Sequence, residues 1–443
     1  MTTAHTPHSP GSPLFQGVEF DDVLKCVHCG LCLNACPTYR ELDVEQDSPR
    51  GRLYLMRGLW EGKLGLDDQV VLPLSRCLDC RACETACPSN VPYGELLEKT
   101  RGVIAEHREQ SNVERFLRGA LLRRLLGSTS LLTLVSVLMR LYQRSGLARV
   151  VSWALARLGW VRLSQAHALM PAFSGRSFKQ KNGGRRLEPK GAVRNHQRVA
   201  LFTGCVLDVA EAEIHEASIQ LLRAIGFGVE VPPLQGCCGA LQVHAGERET
   251  ARELALKNLW AFDAASIDWI IANSSGCCAQ LREYGALFDD DQARWKKLGA
   301  RVVDVLEFIS RWPDAVSGLS WKRDPVVVLY DAPCHLVHAQ RIDKNPRELL
   351  SSLPGVQLVP IDEAEACCGA AGIYNLTQPE LSRKVLERKV LAIKNTLARE
   401  PEAALLVSGN VGCINQIRYG LGQRRVSLRV VHPVVFMAER LKD

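Results

Sequence analysis

The chain has 443 residues, 47% of them hydrophobic and 23% charged, with a formal net charge of +7 and 17 cysteines. That length suits about three domains with sizeable cores, and the composition is that of an ordinary globular protein. No run reaches the roughly 18–20 uncharged apolar residues of a membrane-spanning helix; the longest candidate, 125–139, is shorter and carries Ser and Thr. The start has no basic stretch leading into an apolar one, so a secretory leader is not expected. The cysteines are therefore expected in a reducing, cytoplasmic setting, where clustered cysteines signal metal or redox chemistry rather than disulfides.

Residues 1–18 hold several Thr, Ser, Pro and Gly without periodicity and are expected to be a disordered tail. Residues 19–110 carry two identical cysteine runs. Cys26, Cys29, Cys32 and Cys36 precede Pro37; Cys77, Cys80, Cys83 and Cys87 precede Pro88. Each reads C-x2-C-x2-C-x3-C-P, the ligand run of a [4Fe–4S] cluster in two-cluster ferredoxins, where the fourth cysteine ligates the other cluster. The expected sets are Cys26, Cys29, Cys32 and Cys87 for one cluster, and Cys77, Cys80, Cys83 and Cys36 for the other. Zinc is the alternative, but zinc sites rarely use four-cysteine runs closed by Cys-Pro. Segments 52–60 and 93–108 have apolar residues at three- and four-residue spacing, and no segment alternates convincingly, so this domain is expected to be α-helical.

Residues 111–195 are expected to form a basic helical linker. From Arg115 to Arg186 there are Arg and Lys throughout and no Asp or Glu, while the rest of the chain is net acidic. Val113, Phe116, Leu117, Ala120 and Leu121 share one helical face, with Arg115, Arg118, Arg123 and Arg124 largely off it. Segments 131–141 and 147–160 continue the pattern, with Trp153 and Trp160. A basic amphipathic helix with Trp on its apolar side can lie in a membrane interface; packing within or between subunits is the alternative. Residues 176–195 read as an exposed linker.

From 196 the style changes. Short apolar runs, mostly β-branched, at 199–202, 267–272, 326–330, 356–360 and 404–407 alternate with helical patterns such as 210–225, 247–262 and 380–397. This implies parallel-sheet α/β domains, read as 196–320 and 321–443. The region repeats itself. Cys205, then Cys237 and Cys238 before Gly239, then Cys277 with Cys278, are followed in the same order by Cys334, then Cys367 and Cys368 before Gly369, then Cys413. A repeated order indicates duplicated units, and parallel sheets gather functional groups at the carboxyl ends of strands. Cys205, Cys237, Cys238 and Cys277, and likewise Cys334, Cys367, Cys368 and Cys413, are therefore candidate metal centres, for an iron–sulfur cluster or zinc. Buried cysteines acting as small hydrophobes are the alternative. His335, beside Cys334, reads equally as a ligand, a hydrogen-bond donor to one, or a structural residue. His215 and His244 read as ordinary helix-surface or packing residues.

The two ferredoxin runs and both Cys-Cys-Gly repeats, in this order, resemble the iron–sulfur subunit of bacterial glycolate oxidase. More distantly they resemble the heterodisulfide reductase catalytic subunit and the anaerobic glycerol-3-phosphate dehydrogenase iron–sulfur subunit. The likeness extends to 26–40 (CVHCGLCLNACPTYR), 48–56 (SPRGRLYLM), 77–88 (CLDCRACETACP), 367–382 (CCGAAGIYNLTQPELS) and 410–417 (NVGCINQI). The chain has no G-x-G-x-x-G after its strands and no Walker lysine motif. By resemblance, an FAD-linked flavoprotein partner oxidises a 2-hydroxy acid, glycolate to glyoxylate. Electrons then pass through the two clusters of this chain to a quinone or another membrane-side acceptor. The setting implied is cytoplasmic or peripheral on the inner face of the membrane, with no nucleic acid. Lactate, another 2-hydroxy acid or glycerol-3-phosphate as the partner's substrate is the runner-up, and a zinc-bearing scaffold the third reading. One departure matters. The heterodisulfide reductase type ends each repeat with C-x2-C, whereas here Gln280 and Gln416 replace the second cysteine and Cys278 is an extra thiol at another spacing. Disulfide reduction on noncubane clusters is therefore not expected.

Overall fold

The computed structural model describes residues 12–15, 20–109, 116–190, 197–265 and 267–442. The first domain is helical, and no strand occurs among its described residues 20–109. Pro37 and Pro49 each occupy the first turn of a helix, Pro37–Leu42 and Pro49–Trp60, where the missing N–H leaves no bond unmade. The Ser48 hydroxyl caps the second by accepting from the Gly51 N–H. With Asp68–Ser75 and Tyr93–His107 these helices enclose Phe20, Leu53, Met56, Leu59, Leu74 and Leu97. Phe15 joins that core, its ring edge-on to Phe20 at 5.3 Å. The expectation of a disordered tail therefore fails for residues 12–15, which a buried aromatic ring ties down; the rest of 1–18 lies outside the described residues.

The basic segment comprises Leu117–Leu125, Thr129–Arg144, Leu147–Arg157 and Val161–Ala168. Val113 and Arg115 lie outside the described residues. The predicted apolar face does not hold: Phe116 is exposed, and Leu122, Leu126 and Leu132 are buried instead, against Val209. Leu117–Leu125 is wound as a π-helix. Its wider turn rotates side chains away from the positions that a 3.6-residue period assigns. The exposed-linker reading of 176–195 also needs correction over 176–190; residues 191–195 lie outside the described residues. Phe178 and Lys179 are buried, the Lys179 ammonium donates to the Gln235 carbonyl, and Arg186–Leu187 forms a strand. A short edge strand and one apolar anchor dock this stretch onto the following domain.

Two sheets follow, each at the heart of one cysteine repeat. The first contains β1 (Arg186–Leu187), β2 (Arg198–Phe202), β3 (Gly228–Glu230), β4 (Trp269–Ala272) and β5 (Val302–Asp304) in the order β1-β3-β2-β4-β5, parallel except for β1. The second contains β6 (Val326–Asp331), β7 (Val356–Pro360), β8 (Ala403–Ser408) and β9 (Arg429–Val431) in the order β7-β6-β8-β9, all parallel. Setting β1 aside, the two orders are the same, so the cysteine repeat is a repeat of structure. Strand alternation divides the core. Val199 and Leu201 of β2 face a core shared with the second half, while Ala200 and Phe202 face a core private to the first. The halves are thus packed into one body.

No single helix among the described residues is long and apolar enough to cross a membrane. Arg118–Leu125 and Thr129–Arg144 pass that test only as a pair, bent by 109° at their break.

Candidate metal centres

The two ferredoxin runs fold into loops of the same backbone shape. His28 (φ 54°) and Gly30 (φ 83°) flank Cys29; Asp79 (φ 52°) and Arg81 (φ 60°) flank Cys80 at equivalent positions. Left-handed backbone at non-glycine residues is unfavourable, so its repetition marks a conformation the loop must hold.

Cys26, Cys29, Cys32 and Cys87 line one pocket, together with His28, Cys83 and Val91. Cys29 is exposed and the other three of that set are half-buried. Burial raises the Cys32 thiol to about 11. Around this loop Val27 and Leu31 are 69% and 62% exposed. Cys36, Cys77, Cys80 and Cys83 are all buried. Burial pushes the Cys83 thiol well up, and the neighbouring thiols of Cys80, Cys77 and Cys36 add to this. Hydrogen-bond donors surround the deeper set. The buried Arg52 guanidinium lies 3.8 Å from Cys36 Sγ, donates to the Pro73 carbonyl, and pairs with Asp47 at 3.1 Å. The Tyr93 hydroxyl and the Asp79 N–H point at Cys77 Sγ, at 3.5 and 3.4 Å. Thiol-only donor sets on paired loops, with donors aimed at the sulfurs, fit iron–sulfur clusters.

In the first sheet domain the cysteines meet at the carboxyl ends of the strands. Cys237 Sγ lies 3.3 Å from Cys205 Sγ, and Cys238 Sγ 3.2 Å from Cys277 Sγ. The hydrogen bond shared with Cys205 holds the Cys237 thiol well below its ordinary range and the Cys205 thiol well above it. In the second, Cys368 Sγ lies 3.2 Å from Cys413 Sγ, and Cys334 and Cys367 share one buried cluster. Gly239 and Gly369 both have φ +84°, a conformation that places consecutive thiols at the turn and suits glycine alone. These sets too contain four thiols each. Cys278 stands apart: it is fully buried in the private core of the first half and acts there as a small hydrophobe. Gln416 turns to the Ser382 hydroxyl at 3.1 Å. His335 Nδ1 is 3.6 Å from Cys334 Sγ, its Nε2 is buried without a partner, and burial lowers it to about 3.

The two halves differ in their link to the ferredoxin domain. Cys80 packs in one buried cluster with Cys334 and Cys367, so thiols of the second ferredoxin loop meet those of the second half. The first half meets the same loop through polar groups. His244 lies 3.0 Å from the Asp79 carboxylate and 3.7 Å from Glu98; Arg81 pairs with Glu98 and Glu283. Burial pushes the Asp79 carboxyl up, but His244, Arg81 and Arg101 together hold it well below its usual range. Burial raises Glu98 to about 7. Asp79, Glu98 and His244 could reach one cation, but Arg81 and Arg101 already place positive charge there. His244 is therefore no ordinary packing residue; the one signal the sequence holds for this junction is Arg81 standing where the first loop has Gly30, and Glu98 carries none. His215 is a packing residue, fully buried between the Thr203 carbonyl and the Asn273 amide.

Two known families match this chain. A cysteine-rich domain matches residues 199–282 and again 328–418, and a 4Fe-4S dicluster domain matches 22–91. The chain is 37% identical over 446 residues to the probable glycolate oxidase iron-sulfur subunit of Bacillus subtilis (strain 168), covering 98% of this chain and 97% of that one. It is 30% identical over 413 residues to the glycolate oxidase iron-sulfur subunit of Escherichia coli (strain K12), covering 90% of each. Lactate utilization protein A of Geobacillus kaustophilus (strain HTA426) is 27% identical over 241 residues, which is 53% of this chain and 96% of that protein.

Proposed function

This chain belongs to the family of glycolate oxidase iron–sulfur subunits, and on that premise we propose that it links an FAD-bearing partner, which oxidises glycolate to glyoxylate, to a quinone at the membrane. The near full-length match to two glycolate oxidase subunits carries this reading, since the lactate relative covers only about half of the chain. Cys26, Cys29, Cys32 and Cys87 would hold one [4Fe–4S] cluster, and Cys77, Cys80, Cys83 and Cys36 the other. Such a cluster, when bound, supplies a centre that takes up and releases one electron at a time.

The remaining work falls to the chain itself. Val27 and Leu31, exposed beside the outer thiol set, offer an apolar landing surface for the flavoprotein. Arg52 and Tyr93 hold the inner sulfurs in a dry, donor-rich pocket. The buried cluster of Cys80 with Cys334 and Cys367 joins that pocket to the second half, whose thiols suit a further cluster or zinc. The helices Thr129–Arg144, Leu147–Arg157 and Val161–Ala168 present Leu138, Leu141, Trp153 and Trp160 to solvent among arginines and no acids, the composition of a surface that rests on an anionic bilayer. In the purified complex, Cys32→Ala or Cys83→Ala should stop electron delivery to the acceptor while glycolate still bleaches the partner's flavin. Normal delivery by the Cys32 variant would refute the role given to the outer set.

A further inference from the structure

We propose that the cleft between the basic helical layer and the second sheet domain is the binding site for the head group of a lipid-soluble quinone, an inference that rests on the acceptor reading above. The cleft has a volume of about 410 Å³, within the roughly 300–1,000 Å³ of small-molecule sites. One wall is the inner side of Leu147–Arg157 and Val161–Ala168, contributing Leu155, Ala156 and Val161. The other comes from helices Pro379–Arg399 and Val411–Gln423, contributing Val390 and Tyr419.

Three observations point to this occupant. The first is continuity with lipid-seeking surface. The layer that forms one wall turns Trp153, Leu158, Trp160 and Leu163 outward, all more than half exposed. An isoprenoid tail can remain against that surface, in the bilayer, while the ring enters the cleft. The second is the lining. It mixes aliphatic groups with Ser164, Gln165, Tyr419 and Gln423, which can donate hydrogen bonds to carbonyl oxygens, and Arg424 is paired with Glu387 at 3.4 Å. The third is proximity to thiols. Val411–Gln423 carries Cys413 in its first turn and Gly420 at the cleft. They are seven helical steps apart, about 10 Å at 1.5 Å per residue. A Cβ on Gly420 would lie 2.7 Å from Val390 Cγ2, so the helices are in close contact at the cleft floor. The chemistry balances. A 2-hydroxy acid becoming a 2-oxo acid gives up two electrons and two protons, and a quinone takes up two of each to become a quinol.

The test uses the intact complex in anionic vesicles and an azido-substituted short-chain ubiquinone analogue as photolabel. Ala168 is exposed and lines the cleft, so Ala168→Trp fills it without disturbing a core. The label should map to 155–168 and 419–424, be displaced by unmodified quinone, and fall at least tenfold in Ala168→Trp, with the reduced-cluster EPR spectrum unchanged. Ala156→Trp, also exposed, should act alike. Labelling elsewhere, or at wild-type level in both variants, overturns the site. If the complex reduces quinone but these variants do so unaltered, the cleft alone is wrong. If it reduces soluble dyes and no quinone at all, the acceptor reading falls with it.

Discussion

The two glycines that follow the paired cysteines occupy equivalent places in the repeat, yet alanine should cost them unequal amounts. Both have φ +84°, and forcing an L-residue into that region costs about 1–2 kcal/mol. The space around them differs. A Cβ on Gly239 would sit 3.5 Å from the nearest atoms, those of Ala251, an ordinary van der Waals contact. A Cβ on Gly369 would sit 2.7 Å from the Ser382 carbonyl oxygen. That oxygen belongs to the first turn of Pro379–Arg399, and the Ser382 hydroxyl donates back to the Gly369 carbonyl at 2.9 Å. The overlap is therefore with backbone held on two sides, worth about 1–3 kcal/mol more. Gly239→Ala should lose about 1–2 kcal/mol and Gly369→Ala about 2–5 kcal/mol. At roughly 2–4 °C per kcal/mol, thermal unfolding followed by circular dichroism should show the Gly369 variant falling further than the Gly239 variant, by about 1.5-fold or more. Equal shifts, or a larger loss at Gly239, would refute the reasoning.

Arg52→Met should destabilise the first domain by about 1–3 kcal/mol, because Asp47 then loses its buried partner and keeps only the half-exposed Arg76. It should also lower the midpoint potential of the cluster on the Cys36 set in an EPR-monitored titration, since a donor beside Cys36 Sγ is lost; an unchanged potential would show that Arg52 serves packing alone. Asp304 is buried, and burial raises it to about 7 while its carboxylate still caps Val305–Ser310 by accepting from the Leu306 N–H. Because the folded protein disfavours the charged form, the contribution of this group to stability should be fully present below about pH 4 and be lost as pH rises to about 7. Asp304→Asn keeps the cap without the charge, so its melting temperature should gain on the wild type between pH 4 and 8; a constant difference would contradict this.

Much of the architecture was legible because it is local. The paired C-P runs, the helix at 93–108 and the strand at 356–360 each announce themselves by spacing or by a β-branched run, and the structure returns Tyr93–His107 and Val356–Pro360. The three-residue strands Gly228–Glu230, Val302–Asp304 and Arg429–Val431 were not, since three residues carry no readable period. The His244–Asp79 pair joins residues 165 positions apart, so nothing beside either one signals it. One clue was available. Arg81 stands where the first loop has Gly30, and an arginine held at φ 60° implies partners such as Glu98 and Glu283 to fix it.

Iron and acid-labile sulfide per chain, measured on anaerobically purified wild type, Cys32→Ala and Cys83→Ala, test the central claim most directly. The account predicts at least about eight irons in the wild type, four for each ferredoxin-type cluster, and a loss of about four in each variant, each with a different EPR signal missing. Zinc in place of iron, or iron unchanged in both variants, would contradict it.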